Sequence, residues 1–311
     1  MTLTNAHTHI ELSGLAHLCP SAPTDFVSWQ KGLIRALRSL SEKDVQRGVT
    51  EGLRLLRNCG TDQVADVTQT WLSAEPLLQS GLRGVVYLEV HGLERLSALQ
   101  RLARAQQRIV ELAEKYVSSP MRVGLSLHAP YSCHPDLLRE GAAWCRAENI
   151  PLSLHVAESP AETALLMEGR SPDLPIWKSW LQRFEMFRPA LIPGRPPVPF
   201  LAELGVLKAR PLLFHAIHVS DEDLRLLAAN RCAVVHCPRS NHLLSCGRMP
   251  LEKFLAVGIQ VYLGTDSLSS SPGLDVRDEA DFARTLHASC VTEQQLTTIL
   301  EQSLESWLNA R

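Results

Sequence analysis

Leu152-Ser153-Leu154-His155-Val156-Ala157-Glu158 is a short apolar run closed by a histidine and followed by a carboxylate where the chain leaves the strand. The same pattern recurs along the chain. Short runs rich in Val, Ile and Leu alternate with longer segments of helical period, as in a parallel sheet with crossover helices. Strands are expected over residues 3–6, 63–67, 84–89, 123–127, 152–154, 211–214, 233–235 and 260–263. Eight strands are enough for such a sheet to close on itself. The expected fold is therefore α/β, a single (β/α)8 TIM-like barrel over residues 1–311.

Helix punctuation supports the alternation. Ser41-Glu42-Lys43-Asp44 and Ser220-Asp221-Glu222-Asp223 read as helix starts, Gly60 reads as a stop, and residues 293–308 read as one closing helix. One segment breaks the rhythm. Residues 169–200 carry Pro172, Pro175, Pro189, Pro193, Pro196, Pro197 and Pro199 together with Trp177, Trp180, Phe184 and Phe187. This Pro/Trp-rich excursion follows the fifth strand, on the face where barrels keep their chemistry.

Asn5-Ala6-His7-Thr8-His9 places two histidines at i and i+2 at the end of the first strand, on one side of it. Alone, the pair is as readily two loop histidines that hydrogen-bond as two metal ligands. His155 and Asp266 change the balance, because His155 closes the fifth run (Leu152 to His155), Asp266 follows the eighth (Tyr262 to Asp266), and strand ends converge on one barrel mouth. Three imidazoles and a carboxylate would hold one divalent metal with a position left for water, the arrangement of a hydrolytic site. Zinc is the first choice, with iron or manganese as alternatives. Glu158, three residues after His155, is placed to act as general acid or base, although a carboxylate there also suits a helix start. His215 closes the sixth run and faces the same mouth.

His218 and His236 are ambiguous between orienting and catalytic roles. His128, in Ser126-Leu127-His128-Ala129-Pro130-Tyr131, is a candidate substrate contact, as are Glu89 and Arg239; the last could clamp a carboxylate. His17, His91, His134, His242 and His287 carry no signal.

Composition narrows the partners. The net charge of -2 and 45% hydrophobic content offer no field for nucleic acid or an anionic membrane and suit a small neutral or zwitterionic substrate. Eight cysteines at irregular spacings, without a Cys-x-x-Cys pair, indicate reduced thiols in a cytoplasmic protein. No stretch has the form of a signal peptide or of the roughly 20 apolar residues of a membrane span.

Asn-Ala-His-Thr-His from residue 5, His-Ala-Pro-Tyr from 128, His-Val-Ala-Glu from 155, His-Cys-Pro-Arg-Ser-Asn from 236 and Leu-Gly-Thr-Asp-Ser from 263 together resemble the amidohydrolase superfamily. Within it the chain is most similar to the branch that deaminates guanine, cytosine, S-adenosylhomocysteine and related aminopurine nucleosides. The resemblance implies one metal on His7, His9, His155 and Asp266, Glu158 as acid/base, His215 as the sixth-strand catalytic histidine, and Asp266 as both ligand and proton shuttle. No lysine lies on residues 123–127, where dinuclear members keep a bridging lysine. A narrower similarity is to the aminodeoxyfutalosine deaminases of the alternative menaquinone pathway, in Tyr87-Leu88-Glu89-Val90, Glu203-Leu204-Gly205-Val206-Leu207 and residues 237–242. The family's small flanking β domain is largely absent from these 311 residues, an expectation that leaves apolar surface for a homo-oligomer to cover.

The expected function is metal-dependent hydrolytic deamination of an aminopurine nucleoside or related N-heterocycle, aminodeoxyfutalosine being one candidate, with release of ammonia. The competing readings are hydrolysis of another C–N or C–Cl bond in a cyclic amide, imine or triazine, and a non-catalytic ligand-binding barrel. The Pro-Cys-x-x-Cys element of the other zinc deaminase design is missing.

Overall fold

A computed structural model describes residues 2–169 and 193–310. Eight strands form one parallel sheet in chain order: β1 (Thr4–Thr8), β2 (Gln63–Thr68), β3 (Arg83–Val90), β4 (Met121–Leu127), β5 (Leu152–Val156), β6 (Leu212–His215), β7 (Ala233–His236) and β8 (Gln260–Leu263). The sheet closes where Thr8 bridges Asp266 and the Asp266 N–H donates to the His7 carbonyl at 3.0 Å. Asn5 locks the seam, accepting from the Thr265 N–H at 3.1 Å and donating to Thr265 Oγ1 at 2.9 Å. The fold is the (β/α)8 barrel that the alternation predicts.

Side chains alternate across each strand. Ala65, Val67, Val85, Tyr87, Leu212, Phe214, Ala233, Val235 and Tyr262 fill the interior. Their neighbours, among them Val64, Val86, Leu125, Leu213 and Val234, meet the surrounding helices. The strands run further than their apolar runs: His155, His215 and His236 lie within β5, β6 and β7, with Val156 registered to His215 and His236 to Leu263. Backbone pairing continues through residues whose side chains are polar, which is how the strands carry those side chains to the mouth.

Ser41 and Ser220 cap helices Glu42–Asn58 and Asp221–Ala229 through capping boxes with Asp44 and Asp223, as expected. The closing helix is a correction. Residues 293–308 form two helices, Glu293–Leu300 and Leu304–Asn309, with Ser303 capping the second. The break turns Leu304, Trp307 and Leu308 into the interior cluster at the foot of the barrel, where Gln63 Oε1 accepts the Leu304 N–H at 2.8 Å. A continuous helical period cannot signal this, because both helices present an apolar face. The excursion expected over residues 169–200 lies mostly outside the described residues, which resume before helix Pro197–Glu203. Among the described residues no helix is long and apolar enough to cross a membrane.

Candidate active site

His7, His9, His155 and Asp266 converge at the carboxyl ends of β1, β5 and β8. His9 Nε2 faces His155 Nε2 at 3.3 Å, and Asp266 Oδ1 lies 3.6 Å from His7 Nε2 and 3.7 Å from His9 Nε2. The β1–β2 register shifts between Asn5 and Thr8, and past that irregularity both histidines reach the cluster. Asp66 pins the same turn, accepting from Thr8 Oγ1 at 2.8 Å and the Ile10 N–H at 2.9 Å, while Ser73 Oγ donates to its other oxygen. His7 stacks on Phe214 with ring centroids 3.8 Å apart.

The donor set fits a cation. His155 Nδ1 donates to the His128 carbonyl at 3.0 Å, so its Nε2 carries a lone pair. His9 also bonds the Val67 backbone, and its Nε2 faces His155 Nε2. Neither His7 ring nitrogen has a hydrogen-bond partner, although both are buried. Burial first, and mutual repulsion after it, holds His7 and His155 well below the usual imidazole range, and burial also lowers His9. Converging neutral imidazoles beside a carboxylate make a place for a divalent ion. Asp266 is aimed by the hydroxyls of Ser240 and Ser270, which donate to Oδ2 at 2.7 and 2.9 Å and leave Oδ1 toward the histidines.

Glu158 and His215 stand beside this cluster, Glu158 Oε1 lying 3.5 Å from His215 Nε2. His215 Nδ1 donates to Asn241 Oδ1 at 2.8 Å, which leaves Nε2 as an acceptor facing Glu158. Burial pushes the Glu158 carboxyl up to about 7 against the opposing pull of His215. The Glu158 N–H donates to Glu162 Oε2 at 2.9 Å, fixing the turn that carries it. Ala157, His215 and Asp266 all have positive φ, at 51°, 69° and 60°, a conformation that L side chains adopt at a cost and that recurs at catalytic centres.

The remaining expected residues divide. Glu89, His128 and His155 bring donor atoms within 4.8 Å of one another, and Glu89 Oε1 is buried without a partner. Burial, then Glu11, raises Glu89 to about 8, which favours its protonated form. Ser132 Oγ donates to the Ala129 carbonyl and so accepts His128 Nδ1–H at 2.6 Å, which leaves His128 Nε2 as an acceptor. Arg239 is committed elsewhere. Its Nε donates to Glu279 at 2.7 Å, Nη1 to Asp278 at 3.0 Å and Nη2 to the Gly273 carbonyl at 3.2 Å, because the fully buried Glu279 requires a cation. These partners, not a substrate carboxylate, occupy the guanidinium that was expected to clamp one. His218 bonds the Cys246 carbonyl at 2.7 Å, and His236 bonds His287. Sequence reasoning missed Ser240, Ser270 and Asn241 as positioning groups; the first and last lie inside the quoted 236–241 motif, which was their available signal.

The chain is similar to several known proteins. An aminodeoxyfutalosine deaminase of Deinococcus radiodurans is 34% identical over 91% of this chain and 67% of its own length. A 5-methylthioadenosine/S-adenosylhomocysteine deaminase of Pyrococcus furiosus is 29% identical over 91% of this chain and 62% of its own. The chain thus spans about two thirds or less of these relatives. A Helicobacter pylori aminofutalosine deaminase solved with methylthio-coformycin shares the fold at a TM-score of 0.78 and 22% identity, over 96% of this chain and 70% of that one. The model of the amidohydrolase family matches residues 2–299, a span that runs from the paired histidines past the closing aspartate, and the chain belongs to that family.

Proposed function

We propose that the chain is a metal-dependent hydrolytic deaminase of an aminopurine nucleoside, with aminodeoxyfutalosine as the first substrate to test and zinc as the first metal. The observation that carries this reading is the juxtaposition of a protonatable Glu158 with His215 and the His7/His9/His155/Asp266 cluster. The named activities of the relatives support it, and the family is metal-dependent.

His7, His9, His155 and Asp266 would hold the ion, which when bound supplies the Lewis acidity that makes water a nucleophile near neutral pH. Glu158, with its carboxyl near 7, holds a proton for the ring nitrogen next to the amino-bearing carbon and can regain it within the pH range of the cell. His215 presents an acceptor at Nε2 and steadies the hydroxyl of the tetrahedral carbon. Asp266, restrained by Ser240 and Ser270, is the carboxylate placed to take the proton released by the attacking water and pass it to the departing ammonia. The His128 Nε2 acceptor and the protonated form of Glu89 offer opposite hydrogen-bonding partners to the substrate rim.

The test is ammonia release from a panel of adenine and guanine nucleosides including aminodeoxyfutalosine, with metal-loaded and metal-free protein. Metal-dependent release from one member is expected. Silence across the panel with metal bound would overturn deamination and leave hydrolysis of another carbon–heteroatom bond. Glu158→Gln is expected to keep its metal content and lose at least about 100-fold in turnover; undiminished turnover would remove Glu158 from the acid/base role.

A further inference from the structure

Outside the mouth, three metal-binding side chains meet among helices that flank the barrel. Glu252 lies on helix Leu251–Ala256, and His287 and Cys290 lie in the turn between helices Val276–Leu286 and Glu293–Leu300. One donor atom from each falls within a 4.8 Å cluster. His287 is fully buried, its Nε2 is engaged by His236 at 3.1 Å, and its Nδ1 is buried with no partner. Cys290 is exposed, and its Sγ lies 3.5 Å from Glu252 Oε2. The Arg248 guanidinium, more than a third exposed, sits on both Glu252 at 2.8 Å and Cys290 at 2.6 Å. The position is therefore already that of a cation.

The cluster is connected to the candidate catalytic histidine. His215 Nδ1–H donates to Asn241 Oδ1 at 2.8 Å, and the Asn241 amide nitrogen lies 3.5 Å from His236 Nδ1, toward which it donates. That leaves the His236 proton on Nε2, donated to His287 Nε2, and the His287 proton on Nδ1, the buried atom without an acceptor. The chain of hydrogen bonds thus ends at a buried, unsatisfied group on the residue that shares the cluster with a thiol and a carboxylate.

We propose that Glu252, His287 and Cys290 form a second, peripheral site for a thiophilic divalent metal ion, which displaces Arg248 and acts on His215 through His287, His236 and Asn241. A nitrogen, a sulfur and a carboxylate oxygen are a donor set that zinc, cadmium and cobalt accept. An ion on Nδ1 requires the lone pair there, so His287 then carries its proton on Nε2. His236 must accept at Nε2 and hold its proton on Nδ1, the Asn241 amide turns over, and His215 carries its proton on Nε2. Each imidazole keeps one proton throughout. His215 changes from acceptor to donor where it faces Glu158, so occupancy lowers turnover. The effect on turnover rests on the deaminase reading; the site does not.

The experiment is a cobalt titration of full-length protein whose first equivalent is already bound, followed by thiolate-to-metal charge-transfer absorption and by turnover. A second equivalent that brings the thiolate band, loses it entirely in Cys290→Ser and keeps it in His9→Asn is expected. Arg248→Gln should bind that equivalent more tightly. In wild type, turnover falls as the band grows, and in Cys290→Ser it does not. Absence of the band, or its persistence in Cys290→Ser, overturns the site. A band that grows with unchanged turnover overturns the connection to His215. Because the band is read without substrate, failure of the deaminase reading leaves the first arm standing.

Discussion

Asp266 faces two ways, Oδ1 toward His7 and His9 and Oδ2 toward the hydroxyls of Ser240 and Ser270. With both hydroxyls removed, the carboxylate is free to rotate. Ser240→Ala/Ser270→Ala is expected to weaken metal binding by about 10- to 100-fold, read by chelator competition, with unfolding little changed. Glu162 gives a second prediction. Burial raises its carboxyl from the usual 4.5 to about 8, so the folded protein binds that proton more tightly than the unfolded chain. The stability it contributes is whole below about 4.5 and is lost as pH rises through about 8. Glu162→Gln should flatten that decline when urea midpoints of metal-free protein are compared across the window. At this scale the candidate ligands were legible because they stand at or just past the ends of the expected strands, and such a place can be read locally. Arg239 was not, since its partners Gly273, Asp278 and Glu279 lie 34 to 40 residues away and only the fold selects them.

Among the elements, the β1–β8 seam is the least tolerant. A Cβ on Gly264 would stand 2.7 Å from His7 Cβ and 2.8 Å from the His7 nitrogen, closer than packed atoms come. Gly264→Ala is therefore expected to displace β1, lower both metal content and thermal midpoint, and do so without touching any donor atom; metal analysis beside a thermal melt checks it. Substitution of Gly258, which meets nothing within 4 Å but has φ of +74°, is the control that strains backbone away from the seam. Strand existence was readable from the runs, and the capping boxes at Ser41 and Ser220 from their own four residues. Strand ends were not, because the ladder continues through His155, His215 and His236 after apolar character stops. The break at Ser303 was also hidden, for Gln63, which receives Leu304, is 241 residues away.

For the whole molecule, the terminal helix Leu304–Asn309 is a floor. Trp307, 3% exposed, packs with Leu304 and Leu308 in the interior cluster of the barrel. Trp307→Ala is expected to cost about 3–5 kcal/mol of unfolding free energy, seen as a lower urea midpoint. Turnover per folded molecule should change little, since the candidate site lies at the opposite ends of the strands. The closed seam has a consequence in time. The hydrogen bonds between Asn5 and Thr265 join residues 260 apart, and drawing so long a loop shut is the slow, entropically opposed part of such a topology. Asp266 arrives with that last strand, so a nascent chain can expose His7, His9 and His155 long before the fourth candidate donor. For a chain that takes up an ion on these four residues, the instant of capture is a clock for the final seam of the barrel.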